Sequence, residues 1–297
     1  MRLLKILNEN RALIQRSNVK IKVILNEFEK EKFNNLLPTL KEIAEEDLYE
    51  LVTYNDDFST VFDDYYNSMA ETANFLFLDQ NGIKQITEKI FVKLIKLKQT
   101  DFLFFISSSY INRFAEVEEF QKYLKIKKED LKGKSHFHIH RIVLSYYRSL
   151  IDESKSYFLA PFSIKKPTGV YGLIFGSNHI YCLEKFLTVC WKHDKLTGEA
   201  NFDIDKEKID LAKPSLFEQF NIPNKRQVFE QNLKEKILRR ELKTNYDTYL
   251  YSLNEGFLLK DANVILKDLK EKRKIDFDFP LITSRKHKET VLTIKVI

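Results

Sequence analysis

Three short apolar runs in this chain each stop at an acid. IKVILNE (21–27) ends in Glu27, and ELVTYNDDF (50–58) carries Asp56 and Asp57. FLFLDQNG (75–82) runs four apolar residues straight into Asp79. Helical stretches separate the runs, one reaching residue 46, one between the second and third runs, and one at 83–98. A fourth run, DFLFFISS, follows at 101–108. Short apolar runs alternating with helices predict a parallel sheet covered on both faces. In an open sheet of that kind ligands sit outside the carboxyl ends of the strands. A carboxylate there is an acceptor for ligand hydroxyls and amines. It is equally a good N-cap for the helix that follows.

Residues 3–15 and 113–155 have helical spacing. SYFLAPFSI (156–164) and GVYGLIFGSN (169–178) read as a strand pair, and the short link KKPT suits an antiparallel hairpin. A helix is predicted at 180–193, followed by a polar stretch and a loose segment with Pro214 and Pro223. The domain boundary is placed near 215–225. Beyond it, KRQVFEQNLKEKILRREL, TNYDTYLYSLNEG and LKDANVILKDLKEKRK are three helical patterns, with Thr244 as a cap and Gly256 as a stop. KIDFDF and ETVLTIKVI are alternating strands joined by the basic PLITSRKHK. Three helices and a β-hairpin with a basic tip predict a winged helix-turn-helix. The expected organisation is an α/β domain over 1–215 and a winged helix-turn-helix over 225–297.

Charge placement supports that division. Residues 225–297 hold 17 Lys/Arg and 11 Asp/Glu, the whole net charge of +6, while the other 224 residues hold 32 of each. A basic C-terminal quarter suits an acidic partner such as DNA or RNA. No run of 18 apolar residues exists, which argues against a membrane span. The opening MRLLKILNENRALIQ has no apolar core of the kind a secretory signal needs. Cys182 and Cys190, eight apart in a helical pattern, would lie ~12 Å apart, too far for a disulfide. A reducing cytoplasm is the expected compartment.

The sequence resembles the three-Cys-motif partner family. The resemblance rests on VILNEFEKEKFNNL, NDDF, FLFLDQNGIKQI and DFLFFISSSYINRF, and above all on YGLIFGSNHIYCLEKFLTVCWKHDKLTGEANFDI (171–204). The tail TNYDTYLYSLNEGFLLKDANVILKDLKEKRKI carries it further. It implies a Rossmann-like, class I methyltransferase-like domain followed by a winged helix. It also implies, as a partner, a genomic neighbour with a three-cysteine, radical-SAM-like motif. In such folds the acids at Glu27 and Asp57 would hold the ribose and adenine of S-adenosylmethionine, and Asp79 would stand beside the transferred methyl group.

Two departures count against catalysis by this chain alone. Such a domain opens on a strand and a glycine-rich turn, because only glycine lets the backbone approach the cofactor. This chain has 7 glycines, and the first is Gly82. The sheet is therefore expected to be N-terminally incomplete, and no cofactor is expected for this chain by itself. The strand end that usually reads Asp-Pro-aromatic-Gly is Asp79-Gln80-Asn81-Gly82 here, without the rigid turn or the stacking face for a flipped base. The expectation is an accessory or nucleic-acid-binding protein with a degenerate methyltransferase-like domain. The rivals are an S-adenosylmethionine-dependent methyltransferase acting on nucleic acid, and a protein-interaction module.

In the winged helix, residues 259–272 would read the groove with Lys260, Asn263, Lys267 and Lys270. Arg285, Lys286 and Lys288 at the wing tip would reach phosphates. Asp261, Asp268 and Glu271 on the same helix oppose this. SHFHIHR (135–141) places His136, His138 and His140 at alternate positions. On a strand they would make a metal site, but the following IVLSYYRSLI predicts a helix start, so no metal is expected. FGSNHI (175–180) is a strand-to-helix corner whose Gly176 and Ser177 would either expose amides to an anion or make a tight turn. Ser177 and His179, with no placed acid, make no hydrolase triad. Trp191 reads as core.

Overall fold

The structure, a computed structural model, describes residues 2–79, 86–108, 111, 124–126, 129, 136–152, 156–204, 224–277 and 291–297. It is a mixed α/β chain of two compact units, Met1–Thr72 and Ala73–Ile297.

The first unit begins with two short helices, α1 (Arg2–Glu9) and α2 (Arg11–Ser17). Strand β1 (Lys22–Asn26) leads through α3 (Lys30–Ile43) to β2 (Glu50–Tyr54), and α4 (Phe58–Glu71) closes the unit. β1 and β2 pair in parallel, Val23 opposite Leu51 and Leu25 opposite Thr53. Parallel strands need a helical crossover, and α3 supplies it. Its small core is Leu4, Val23, Leu40, Leu48 and Tyr49.

The second unit holds a four-stranded sheet in the order β3-β4-β6-β5. Strand β3 (Asn74–Asp79), helix α5 (Glu88–Leu94) and strand β4 (Thr100–Ser107) form a second parallel pair. Helix α6 (Ile139–Ser149) precedes β5 (Phe158–Lys166) and β6 (Gly169–Ser177). The β5–β6 pair is the expected antiparallel hairpin, with Lys166 opposite Gly169. β6 also runs antiparallel to β4. Among the described residues, parallel strand pairs are β1–β2 and β3–β4, and Ser163 makes an isolated parallel bridge to Ala200.

Alternation along β4 builds the main core. Phe102, Phe104 and Ile106 are fully buried on one face. Phe91 of α5 and Tyr147 of α6 pack there, their ring centroids 4.7 Å apart, and Phe104 lies 5.0 Å from Tyr147. The Tyr147 hydroxyl is satisfied by donating to the Ile86 carbonyl at 2.6 Å. Burying each such ring is worth about 1.5–3 kcal/mol. β3 is different. No residue of it is buried, and Phe75 and Phe77 are 59 % and 57 % exposed on one face.

After helix α7 (Ile180–His193) come three helices: α8 (Lys225–Leu238), α9 (Asn245–Asn254) and α10 (Leu259–Glu271). Two begin with reciprocal caps, Asn224 with Gln227 and Thr244 with Asp247. Gly256, at φ +79°, ends α9 as its sequence position predicts. A short antiparallel pair follows, β7 (Ile275–Asp276) with β8 (Lys295–Val296), and Thr244 bridges to Thr293. The expected boundary near 215–225 falls largely outside the described residues. Phe229, Leu233, Leu253, Phe257 and Leu266 of this region share one core with Leu183, Leu187 and Trp191 of α7. No helix of the described residues is long and apolar enough to cross a membrane.

Candidate functional site

Glu27 and Asp57 lie at the same carboxyl end of the β1–β2 pair. Two asparagines that sequence reasoning did not single out clamp that end. Asn26 donates to the Asp56 carbonyl at 3.0 Å, and its side-chain oxygen accepts from the Asp56 N–H at 3.2 Å. Asn55 donates to the carbonyls of Glu27 and Phe28 at 2.7 and 2.9 Å. Each acid then serves the chain that follows it. Glu27 Oε1 accepts from the Glu29 N–H at 2.9 Å. Asp57 is the N-cap of α4 and accepts from the Ser59 N–H at 2.8 Å. One oxygen of each carboxylate is therefore committed to a local turn. Asp79 is exposed at the end of β3, in the other unit. Gln80, Asn81 and Gly82 lie outside the described residues.

The helix expected to read a groove, α10, has two faces. Leu259, Ala262, Ile265, Leu266 and Leu269 are buried. Lys260, Val264, Lys267 and Glu271 form an exposed stripe at spacings of four, three and four. The acids on the helix are mostly spoken for. Asp261 is buried, accepts from Arg226 at 2.8 Å and caps the Leu258 N–H at 3.1 Å. Arg226 itself lies over the Trp191 ring, 5.3 Å from its centroid. Asp268 pairs with Lys272 at 2.7 Å and Lys234 at 3.4 Å, and the hydrogen bond from Lys272 lowers its pKa. Glu271 is 3.8 Å from Lys267. The four predicted contacts separate. Lys260 and Lys267 face outward, and Asn263 is half-buried. Lys270 turns back, donating to the Phe277 carbonyl at 2.5 Å with its ammonium 4.4 Å from the Phe277 ring centroid. Arg285, Lys286 and Lys288 lie outside the described residues.

The histidine motif divides as a helix start. Residues 136–138 form a 3-10 turn, and α6 begins at Ile139. His140 is fully buried, and its Nε2 lies 2.8 Å from Glu199 Oε1. Glu199 also accepts from Arg141 at 2.5 and 3.0 Å. Its carboxyl is held well below the usual range. Burial alone would raise it, but the charge of Lys225 and the contacts of His140 and Arg141 reverse that. No group of three His, Cys, Asp or Glu among the described residues is arranged to hold a metal. Nothing in the sequence motif GEANF marked Glu199 as a hub, because its partners come from distant positions.

FGSNHI is a tight corner rather than an open anion cradle. A Cβ on Gly176 would meet the Phe102 ring at 2.2 Å, so the glycine makes room for that ring. Ser177 is buried, and its hydroxyl accepts from the His179 N–H at 2.9 Å. His179 Nδ1 caps α7 by accepting from the Tyr181 N–H at 3.2 Å. Trp191 is buried as expected and donates to the Gly256 carbonyl at 2.9 Å.

Beside that corner is a cleft of about 400 Å³. Tyr157 and Phe158 from the start of β5, Asn178 and His179 from the corner, and Tyr246 and Asn254 from α9 line it. It sits at the end of the sheet opposite Asp79, because Ser177 pairs with Phe158 while Asp79 pairs with Phe105. No protein-family model, curated protein or solved structure matches this chain.

Proposed function

We propose that this chain is an accessory, nucleic-acid-binding protein whose methyltransferase-like domain does not catalyse by itself. The carrying observation is the outward stripe of α10. Lys260 and Lys267 face solvent, and of the three acids that oppose such a role Asp261 and Asp268 are committed to Arg226, Lys272 and Lys234, while Glu271 stays on the stripe beside Lys267. In this reading α8, α9, α10 and the β7–β8 pair are the winged helix, and α10 lies against phosphates or a groove. The contacts would be mainly electrostatic, so affinity falls steeply with salt.

Glycine placement and the strand ends support a non-catalytic reading of the other domain. The Met1–Thr72 unit contains no glycine. Its two candidate cofactor acids each spend one oxygen on a following main-chain N–H. Those residues offer acceptors for a ribose or an adenine amine but no glycine cradle for the methionine end of S-adenosylmethionine. The residues present therefore do not fit the whole cofactor, and no methyl-transfer step is assigned to them. The family resemblance suggests a three-cysteine, radical-SAM-like protein as partner.

The test is fluorescence anisotropy with labelled duplex DNA and duplex RNA over a salt series. Binding whose salt slope falls by about one per residue in Lys260→Gln and Lys267→Gln supports the reading. Binding unchanged in both variants, or none at low salt by folded protein, overturns it. Calorimetric titration with S-adenosylmethionine, repeated on Glu27→Ala and Asp57→Ala, decides between this reading and the methyltransferase alternative.

A further inference from the structure

The cleft between the β5 start, the FGSNH corner and α9 combines three kinds of surface. The first is aromatic. Tyr157 and Phe158 stand on one side and Tyr246 on α9. Tyr157 is held in place by stacking on Phe102, with centroids 6.0 Å apart and planes 18° apart. Tyr246 lies against Tyr249, 6.3 Å between centroids. Rings fixed in this way give a planar ligand a face at little entropic cost.

The second is a set of uncommitted polar groups. The side-chain amide of Asn254 and the hydroxyl of Tyr246 have no hydrogen-bond partner among the described residues. The same holds for the side-chain oxygen of Asn178, whose NH2 donates to the Lys98 carbonyl. His179 uses Nδ1 as an acceptor for the Tyr181 N–H, so its Nε2 carries the proton in the neutral ring. The cleft therefore presents an N–H donor, amide groups and a hydroxyl around aromatic walls. That mix reads the edge of a heterocyclic base.

The third is a fixed cation at the margin. Arg148 Nη2 donates to the Leu159 carbonyl at 3.0 Å and to the carbonyl of the cleft residue Asn254 at 3.1 Å. Two carbonyls anchor one nitrogen, Nε and Nη1 have no hydrogen-bond partner among the described residues, and Glu255 is the acid whose charge acts on the guanidinium. A guanidinium held by main chain, with nitrogens to spare, suits a phosphate. A volume of about 400 Å³ lies in the range of small-ligand pockets.

We propose that this cleft binds a nucleotide, with the base against Tyr157 and Tyr246 and the phosphate at Arg148. The nucleotide is either free or the unstacked unit of a single strand. The site uses no residue of the α10 stripe, so it stands or falls separately from the groove-binding role.

The experiment uses the full chain. AMP, GMP, CMP and UMP are titrated calorimetrically up to about 1 mM, the weakest affinity expected of such a site. A labelled oligo-dT is followed by anisotropy. Binding of a mononucleotide or the oligomer, weakened roughly tenfold by Asn254→Ala and by Arg148→Gln, supports the site. Asn254→Ala keeps the carbonyl that anchors Arg148, so its thermal melt should match the parent. Lys260→Gln should leave mononucleotide affinity unchanged. Mononucleotide binding alone identifies a free nucleotide as ligand, and oligomer binding alone identifies a nucleic-acid strand. No binding of any probe by folded protein, or binding indifferent to both cleft variants, overturns the proposal.

Discussion

Lys225 Nζ lies 3.0 Å from Glu199 Oε2, and Glu199 is almost completely buried. Lys225 is the first residue of α8, and it also donates to the Thr197 carbonyl at 3.1 Å. The other partners of the same carboxylate, His140 and Arg141, come from α6. One acid thus ties the sheet-covering helix to the first of the three C-terminal helices. Removing one partner of a buried charge cluster is costly because the remaining charges stay desolvated. Arg141 and Lys225 retain some solvent access, so the low end of the usual range applies. Glu199→Ala should lower unfolding free energy by about 3 kcal/mol in urea denaturation. A change below about 0.5 kcal/mol, the size of an ordinary surface substitution, would show that the cluster holds nothing together.

The same carboxyl sets an acid dependence. Its folded pKa lies well below 4.5, its ordinary value. A depressed carboxyl contributes stability that is fully present above the unfolded value and is lost as pH falls through the folded one. Urea midpoints should therefore be steady above about pH 5 and fall below pH 4.5. In Glu199→Gln the fall should be shallower. Parallel pH profiles for parent and variant would remove Glu199 as its source.

Gly198 sits at φ +63°, and a Cβ there would meet Trp191 Cε2 at 2.4 Å. Both strain and overlap oppose any side chain. Gly198→Ala should destabilise by about 2 kcal/mol, read as a lower thermal midpoint with a red-shifted Trp191 emission. Trp191 is the single tryptophan, so the emission reports this contact alone.

Lys260 and Lys270 are both exposed, but Lys270 bends back onto Phe277 and pairs with Asp276 at 3.4 Å. Lys270→Gln should cost about 1 kcal/mol of stability, since it breaks the bond to the Phe277 carbonyl and the ring contact. It should leave the salt dependence of nucleic-acid binding unchanged. Lys260→Gln should do the reverse, and a combined chemical-denaturation and anisotropy series separates the two.

Phe75 and Phe77 are more than half exposed on a strand that is, among the described residues, at the edge of its sheet. Edge strands of this kind pair with other chains when nothing blocks them. Replacing both by Thr should change unfolding free energy by no more than about 0.5 kcal/mol per site and should lower any concentration-dependent light scattering. A large stability loss would show that folded protein covers this strand.

Local pattern determined much of the fold. Short apolar runs became β1 to β6, Thr244 and Gly256 bounded α9, and the KKPT link gave the hairpin. These features depend on neighbours within a few residues, so sequence carries them. The acids at 27, 57 and 79 were visible for the same reason, yet sequence did not decide between ligand acceptor and helix cap. The structure gives Asp57 a capping bond and leaves its second oxygen available. Tertiary structure alone brought Glu199 to His140 and Lys225, turned Lys270 toward Phe277, and gathered Tyr157, His179 and Asn254 around one cleft. Those relationships join residues tens of positions apart, or depend on which way a side chain turns. No period or spacing encodes them; the packing of the helices against the sheet sets them.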